Sequence, residues 1–219
     1  MWLGDLSLIQ KISVSVIPIL FAVVLHEIAH GWVARYCGDN TAWQQGRLSL
    51  NPLKHIDPIG TILVPLLLLV TVGFVFGWAK PVPINWSQLR HPRRDIVLVA
   101  AAGPAANLVM ALFWALLLKV ALVLPAEMAW MAKPLIYMGT IGIFANIILM
   151  VFNLLPLPPL DGGLIATILL PHPWGVYLSR VEPFGFFVIL ALLATGVLST
   201  ILSPAIAKVT MLIHSLVGL

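Results

Sequence analysis

Long apolar runs constrain the fold of this chain more than any other feature of its sequence. A helix of about 20 residues crosses the roughly 30 Å of hydrocarbon in a bilayer. Helices are expected because an isolated strand would leave its backbone groups unpaired in lipid. The sequence therefore predicts an all-α polytopic membrane protein. The long runs cover about residues 12–37, 56–78, 96–124, 135–155 and 184–202, and a shorter apolar tail covers 205–219.

The composition excludes a soluble domain. Of the 219 residues, 61% are hydrophobic and 9% are charged, whereas a soluble domain typically has about 25% charged residues. In so apolar a chain, the net charge of +4 is expected to set the membrane topology and to contact anionic lipid headgroups. No arginine-rich tract with interleaved aromatic residues occurs, so we expect a lipid bilayer, and no nucleic acid, as a partner.

The first apolar run contains an H-E-x-x-H motif, formed by His26, Glu27 and His30. Residues four apart lie one turn apart on the same face of an α-helix, so both imidazoles can hold one metal ion. Glu27, beside them, can act as a base toward water at that metal. The alternative is a chance match, but two histidines and a carboxylate are costly to bury in a membrane without partners. We therefore predict a metal site, and zinc suits these ligand types.

A third ligand is needed, because a hydrolytic zinc site has three protein ligands and one open position. Asp161 is the best candidate at membrane depth. It follows Pro156, Pro158 and Pro159, which prevent a regular helix, and two glycines after it allow a sharp turn. Irregular backbone at membrane depth is tolerated where it is buried in protein or lines a wet cavity. The alternative is that Asp161 caps the next helix.

Three further polar or small residues stand out within the apolar runs. Asn153 precedes the prolines, and its amide could stabilise a developing oxyanion or hold a substrate carbonyl. The alternative is that Asn153 bonds backbone groups freed by Pro156. Gly103 and Asn107 are expected to serve close helix packing and an interhelical hydrogen bond.

Two segments between the first and third apolar runs have less regular patterns. In the polar stretch 41–55, residues 46–51 alternate weakly, which predicts one or two short strands. Residues 56–78 are interrupted by prolines and glycines, which suits a segment that enters the membrane and returns on the same side. This re-entrant course also satisfies the positive-inside rule better, because a full crossing divides the Lys and Arg residues almost equally. The cytoplasmic residues would then be Arg35, Arg47, Lys54, Lys80, Arg90, Arg93, Arg94 and Arg180.

At these positions the sequence resembles the site-2 protease family of intramembrane zinc metalloproteases. The similarity covers most of the chain, and the two metal motifs in this order make it highly specific. The string 77–83 resembles the compact bacterial or archaeal branch of the family, which implies the cell membrane of a prokaryote. The matching segments are the H-E-x-x-H motif, residues 103–107, and residues 153–163.

The resemblance implies one zinc ion per chain, held by His26, His30 and Asp161, with Glu27 as general base. It implies cleavage of a peptide bond in or near the transmembrane segment of a protein or peptide substrate. It also implies a three-helix catalytic core with a small membrane-associated β element, supplied by residues 41–51. Residues 1–219 would form a single peptidase domain, with the core at about 12–170 and accessory helices at 184–219.

A membrane metal transporter is the main alternative, because intramembrane His and Asp residues also mark ion paths. A non-catalytic metal-binding scaffold is the other. Glu27 distinguishes a protease from a transporter, because a transporter has no need of a carboxylate placed as a base beside a three-ligand site. The scaffold is disfavoured because every motif position is intact.

Overall fold

The computed structural model describes residues 6–71 and 77–219, and most of these residues are helical. Short 3₁₀ turns occur at Pro52–His55, Trp86–Gln88 and Ala126–Met128, and a π-helical turn occurs at Pro58–Leu63. The α-helices of the described part are α1 Leu8–Tyr36, α2 Thr41–Gln44, α3 Val64–Thr71, α4 Pro92–Leu122, α5 Ala129–Asn153, α6 Asp161–Leu169, α7 Trp174–Ser179, α8 Glu182–Ala194 and α9 Val197–Val217.

Four of these helices are long and apolar enough to cross a membrane: α1, α4, α5 with the 3₁₀ turn that precedes it, and α9. The predicted all-α polytopic architecture is therefore confirmed. Local chemistry sets where the helices begin. Ser7 and Gln10 form a capping box at the start of α1, and Pro92 occupies the first position of α4, where no backbone N–H is needed.

Helices α1, α4 and α5 form the centre of the molecule, with α4 antiparallel to both of the others. Asn107 on α4 donates to the carbonyl oxygen of Ala22 on α1, and Val99, earlier on α4, contacts His30, later on α1. Asn107 also donates to Asn146 on α5. The helices approach closely, because α5 presents small residues to α4, as membrane helix interfaces commonly do.

The apolar core lies in the half of the molecule farther from His30. Its residues come from α4, α5 and α9. At one edge of the core, Lys119 on α4 donates to the carbonyl oxygen of Val217 at the end of α9. Helix α9 is therefore packed against the central helices. The buried members of this core are Ala111, Trp114, Ala115, Leu118, Ile143, Ile147, Ile213 and Val217.

The C-terminal boundaries differ from the sequence prediction. We expected one span at 184–202 and a short tail after it, but α8 is a short helix and α9 is the long one. The break falls at Gly196, whose φ of 73° is in the left-handed region that glycine adopts readily. Pro204 lies inside α9, because neighbouring groups in a membrane bundle can compensate the backbone bond that a proline removes.

The predicted β element at residues 41–55 is wrong, because the structure has helical turns and irregular backbone there. Asp39 accepts hydrogen bonds from both the N–H and the hydroxyl of Thr41 and so turns the chain into α2. Asn51 accepts from the N–H of Leu53 at the start of the following 3₁₀ turn. These side-chain bonds to the backbone favour turns over a strand ladder.

The two ends of segment 56–78 lie side by side, although residues 72–76 of this segment are outside the described part of the chain. The N–H of Trp78 donates to the carbonyl oxygen of Gly60 over 3.0 Å. The end of α1 also meets the start of α4, where the N–H of Arg90 donates to Cys37 over 3.0 Å. A segment that crosses the hydrocarbon separates its ends by about 30 Å. We therefore infer that residues 56–78 enter and leave the membrane at one face.

Cysteine labelling tests this inference. Asn40→Cys and Gln88→Cys, both at exposed positions, are each made in a Cys37→Ala background, and intact cells or oriented vesicles are treated with a membrane-impermeant maleimide. Both sites should react from the same side. Glu127→Cys, between α4 and α5, is the control and should react from the opposite side. Reaction of residues 40 and 88 from opposite sides would show that the segment crosses.

Candidate active site

The structure brings His26, His30 and Asp161 together although Asp161 is far from the two histidines in the sequence. One nitrogen or oxygen atom of each residue lies within 4.8 Å of the others. The two Nε2 atoms are 3.1 Å apart. The carboxylate of Asp161 lies 3.3 Å from His26 Nε2 and 3.4 Å from His30 Nε2. The predicted ligand set is therefore one cluster in space.

The other ring nitrogen of each histidine fixes its tautomer. His26 Nδ1 lies 2.7 Å from Asn107 Oδ1, and His30 Nδ1 lies 2.7 Å from the carbonyl oxygen of Val99. A carbonyl oxygen can only accept, so both Nδ1 atoms carry the proton and donate it. In a neutral ring Nε2 then presents a lone pair, and both lone pairs are directed to the cluster. This is how histidine ligands are usually oriented.

This cluster fits a zinc ion. Two imidazole nitrogens with lone pairs and a carboxylate repel one another unless a cation lies between them. The Oδ2 atom of Asp161 is buried and has no hydrogen-bond partner among the described residues, which is costly without such a cation. Imidazole nitrogen and carboxylate oxygen are the donors that zinc takes in catalytic sites, where a fourth position stays open.

Gly103 on α4 makes room for the two histidine rings. A Cβ atom at this position would collide with His30 Nε2 and would lie 2.7 Å from His26 Nε2. The bare backbone of α4 therefore forms one wall of the cluster. The sequence predicted close helix packing at Gly103, and the structure shows that the rings of His26 and His30 are what is packed there.

Asp161 is the first residue of α6 and follows the proline-rich segment. The residue that precedes the helix is Leu160, and no side chain caps the helix. The alternative that Asp161 serves as a helix cap is therefore wrong. Its carboxylate is directed to the two histidines instead.

Glu27 lines the same cavity as the cluster. Its Oε2 atom accepts a hydrogen bond of 3.0 Å from the backbone N–H of Val82. Its Oε1 atom makes no hydrogen bond within residues 6–71 and 77–219. One oxygen of this half-buried carboxylate is thus held, and the other can meet a water molecule in the cavity.

Asn153 also lines the cavity, as the last residue of α5. Its Nδ2 atom donates to the carbonyl oxygen of Leu149 over 2.9 Å. This is a bond to the backbone, although Leu149 is not the residue whose carbonyl Pro156 leaves free. An amide Nδ2 has two protons, and the bond to Leu149 uses one of them.

The cavity has a volume of about 950 Å³. It lies between the histidine-bearing face of α1, the non-helical segment 77–85, and the first half of α8. Besides the cluster, its lining is mainly apolar and includes Trp78, Val82, Phe152, Leu164, Phe186 and Ile189. A cavity of this kind can admit a stretch of apolar polypeptide beside the polar cluster.

Comparison with known proteins agrees with this geometry. The chain is 42% identical over 190 residues to "Putative zinc metalloprotease YwhC" of Bacillus subtilis, which covers 86% of this chain and 84% of that protein. It is 33% identical over 184 residues to "Putative zinc metalloprotease Rip2" of Mycolicibacterium smegmatis, which covers 82% of this chain and 66% of that protein. The chain belongs to the site-2 protease family. No protein-family model and no solved structure gives a significant match.

In this site-2 protease homologue, sequence reasoning missed part of the site. Asn107 was expected to form an interhelical bond, and it does, but its partner His26 belongs to the metal cluster. Asn146 supports Asn107 by accepting from its Nδ2 over 2.9 Å, and it was not singled out. The available signal was its polarity inside an apolar span, where a lone amide needs a partner.

Substitution of Gly103 tests whether α4 leaves room for the metal. We expect Gly103→Ala to reduce the zinc bound by the purified site-2 protease homologue, by about 10- to 100-fold in affinity, because the new methyl group displaces the two Nε2 atoms. Gly139→Ala is the control, since its Cβ would meet Leu118 at 2.9 Å, away from the cluster. Zinc affinity is measured by competition with a chromophoric chelator. Equal affinities of the two variants would contradict the prediction.

Proposed function

We propose that this protein is an intramembrane zinc metalloprotease of the site-2 type. It hydrolyses a peptide bond within or near the transmembrane segment of a membrane protein. The observation that carries this proposal is the cluster of His26, His30 and Asp161 in a bundle of membrane-length helices, with Glu27 beside it. The bacterial relatives named as zinc metalloproteases support it.

In this proposal His26, His30 and Asp161 hold one zinc ion per chain. The chemistry that zinc supplies at such a site is acidification of a water molecule and polarisation of a carbonyl group. The protein contributes the orientation of the ligands. Asn107 and the Val99 carbonyl fix the rings through their Nδ1 protons, and the first turn of α6 presents the carboxylate.

Glu27 is the general base. Its Oε1 atom takes one proton from the attacking water, whose oxygen forms the new bond to the carbonyl carbon of the substrate. When the carbon–nitrogen bond breaks, Glu27 returns this proton to the leaving amine. The second proton of the water passes from the new carboxyl group to the amine, so the products are a carboxylate and an ammonium group on the two fragments. The hydrogen bond from Val82 to Oε2 keeps the carboxylate in place during both transfers.

Asn153 donates a hydrogen bond to the carbonyl oxygen of the substrate. The proton of Nδ2 that is not used by Leu149 can donate to the carbonyl oxygen as negative charge develops there. The position of Asn153 in the lining of the cavity supports this role.

The substrate must unwind near the scissile bond, because the carbonyl groups of a helix are engaged in its own hydrogen bonds. Residues with low helix propensity in the substrate therefore favour cleavage. We further propose that residues 1–219 form one peptidase domain in the cell membrane of a prokaryote, with its core at 12–170 and accessory helices at 184–219.

Glu27→Gln tests the proposed reaction. Cleavage of a single-span reporter by purified protein in detergent should fall by about 10²- to 10⁴-fold, the range that a general base contributes. Zinc should remain bound at one ion per chain, because Glu27 is not a ligand. His26→Ala is the comparison and should lose both zinc and cleavage. Loss of zinc from Glu27→Gln, or zinc flux through the wild type in liposomes, would favour the transporter instead.

Asn153→Ala tests the carbonyl-binding role. We expect kcat to fall by about 10²-fold or more, as for removal of an oxyanion donor, with zinc content unchanged. Thr140→Ala is the matched control, because Thr140 makes the same kind of bond to the backbone four residues earlier on α5. If Asn153→Ala loses no more activity than Thr140→Ala, Asn153 only supports the helix end.

A further inference from the structure

The non-helical segment 77–85, here called the strap, lies beside Glu27 and is anchored along its length. Near its start, the N–H of Lys80 donates to the carbonyl oxygen of His55 over 2.9 Å. At its end, the N–H of Asn85 donates to the buried carboxylate of Asp39 over 2.8 Å. Between these anchors, Val82 makes the hydrogen bond to Glu27.

Val82 is held in the middle of the strap by its side chain and its neighbours. It is 5% exposed, and its Cγ1 atom lies so close to Gly31 on α1 that a Cβ there would approach it to 2.9 Å. Its neighbours are Pro81 and Pro83, which have no backbone N–H. The N–H of Val82 is therefore the one donor that this proline-flanked stretch can offer to Glu27.

Arg47 lies on the opposite side of the same peptide group. Its Nη2 atom donates to the carbonyl oxygen of Pro81 over 3.2 Å and to that of Lys80 over 3.0 Å. The Pro81 carbonyl and the Val82 N–H belong to one planar peptide unit, and this unit is trans. In a trans unit the oxygen and the hydrogen point in opposite directions. Arg47 therefore binds the carbonyl oxygen of one rigid peptide group, and Glu27 binds its N–H.

This arrangement differs from that of an ordinary surface arginine. The Nε atom of Arg47 is buried and has no hydrogen-bond partner among the described residues, so part of the guanidinium has lost its water without compensation at that atom. A cation at the carbonyl end also polarises the peptide and strengthens the bond that its N–H donates. The polarised peptide donates its N–H to the Glu27 carboxylate.

We propose that Arg47 is a positioning residue for Glu27 and acts through the Pro81–Val82 peptide group. This inference rests on the proposed function, in which Glu27 is the base. Arg47 does not itself line the cavity, but it contacts Pro81, which does. It sets the position of the strap, and the strap sets the orientation of the carboxylate toward the attacking water.

The test compares Arg47→Ala and Arg47→Lys with Lys54→Ala as a matched control. Lys54 is a cation on the same polar segment that also donates to a backbone carbonyl, that of Gly46, but it does not contact the strap. Cleavage of a single-span reporter gives kcat and KM, and zinc content is measured for each protein. Hydrogen–deuterium exchange of residues 77–85, read without substrate, reports on the strap independently of activity.

We expect Arg47→Ala to lower kcat by about 10- to 100-fold, the range for loss of a hydrogen bond to a charged group. KM should change by less than about twofold, because the substrate contacts remain. Exchange at Val82 should become faster, and zinc content should stay at one per chain. Arg47→Lys should recover part of kcat, since an ammonium group can still donate to a carbonyl. Lys54→Ala should match the wild type.

Three results would overturn the inference: unchanged exchange at Val82 in Arg47→Ala, a rise in KM with kcat unchanged, or an equal loss of activity in Lys54→Ala. Failure of the proposed function gives a different pattern. The wild type itself would then leave the reporter uncleaved, while the exchange experiment would still decide whether Arg47 holds the Val82 peptide.

Discussion

The need to satisfy the polar groups of the metal cluster inside a membrane bundle determines much of this structure. Each histidine of the cluster has its proton-bearing nitrogen fixed by a group on α4, through Asn107 or the Val99 carbonyl. Asn107 is in turn held by Asn146 on α5. The hydrogen bonds that orient the ligands are therefore also the polar contacts between the three central helices. In lipid such contacts are retained because water offers no alternative partner.

The sequence was most informative where chemistry and helical spacing coincide. The four-residue separation of His26 and His30 predicts their proximity, because a turn of helix places them on one face. Asp161 could be predicted because three prolines break the helix before it. Non-helical backbone at membrane depth is costly unless it is buried in protein or lines a wet cavity. The resemblance to the family then indicated that these two motifs form one site. Their spacing alone could not show this, because they lie far apart in the sequence.

Contacts that depend on tertiary packing could not be predicted. The bond from Val82 to Glu27 joins a loop to a helix over 55 positions, and no local pattern marks it. The prediction of a β element was wrong because the weak alternation at 46–51 carried less information than Asp39 and Asn51, whose side chains turn the backbone into helical turns. The course of 56–78 was suggested by charge counting, since the energetic preference of Lys and Arg for one face acts on whole segments.

The position of Asp161 has a consequence for biosynthesis. Chains are made from the N-terminus, and α1, α4 and α5 all precede the proline-rich segment in the order of synthesis. While these helices pair in the membrane, the cluster contains two imidazoles and no carboxylate. The ligand set closes when α6 docks, after three of the membrane-length helices have emerged. A nascent chain therefore carries Glu27 and the two histidines well before it carries the third proposed ligand.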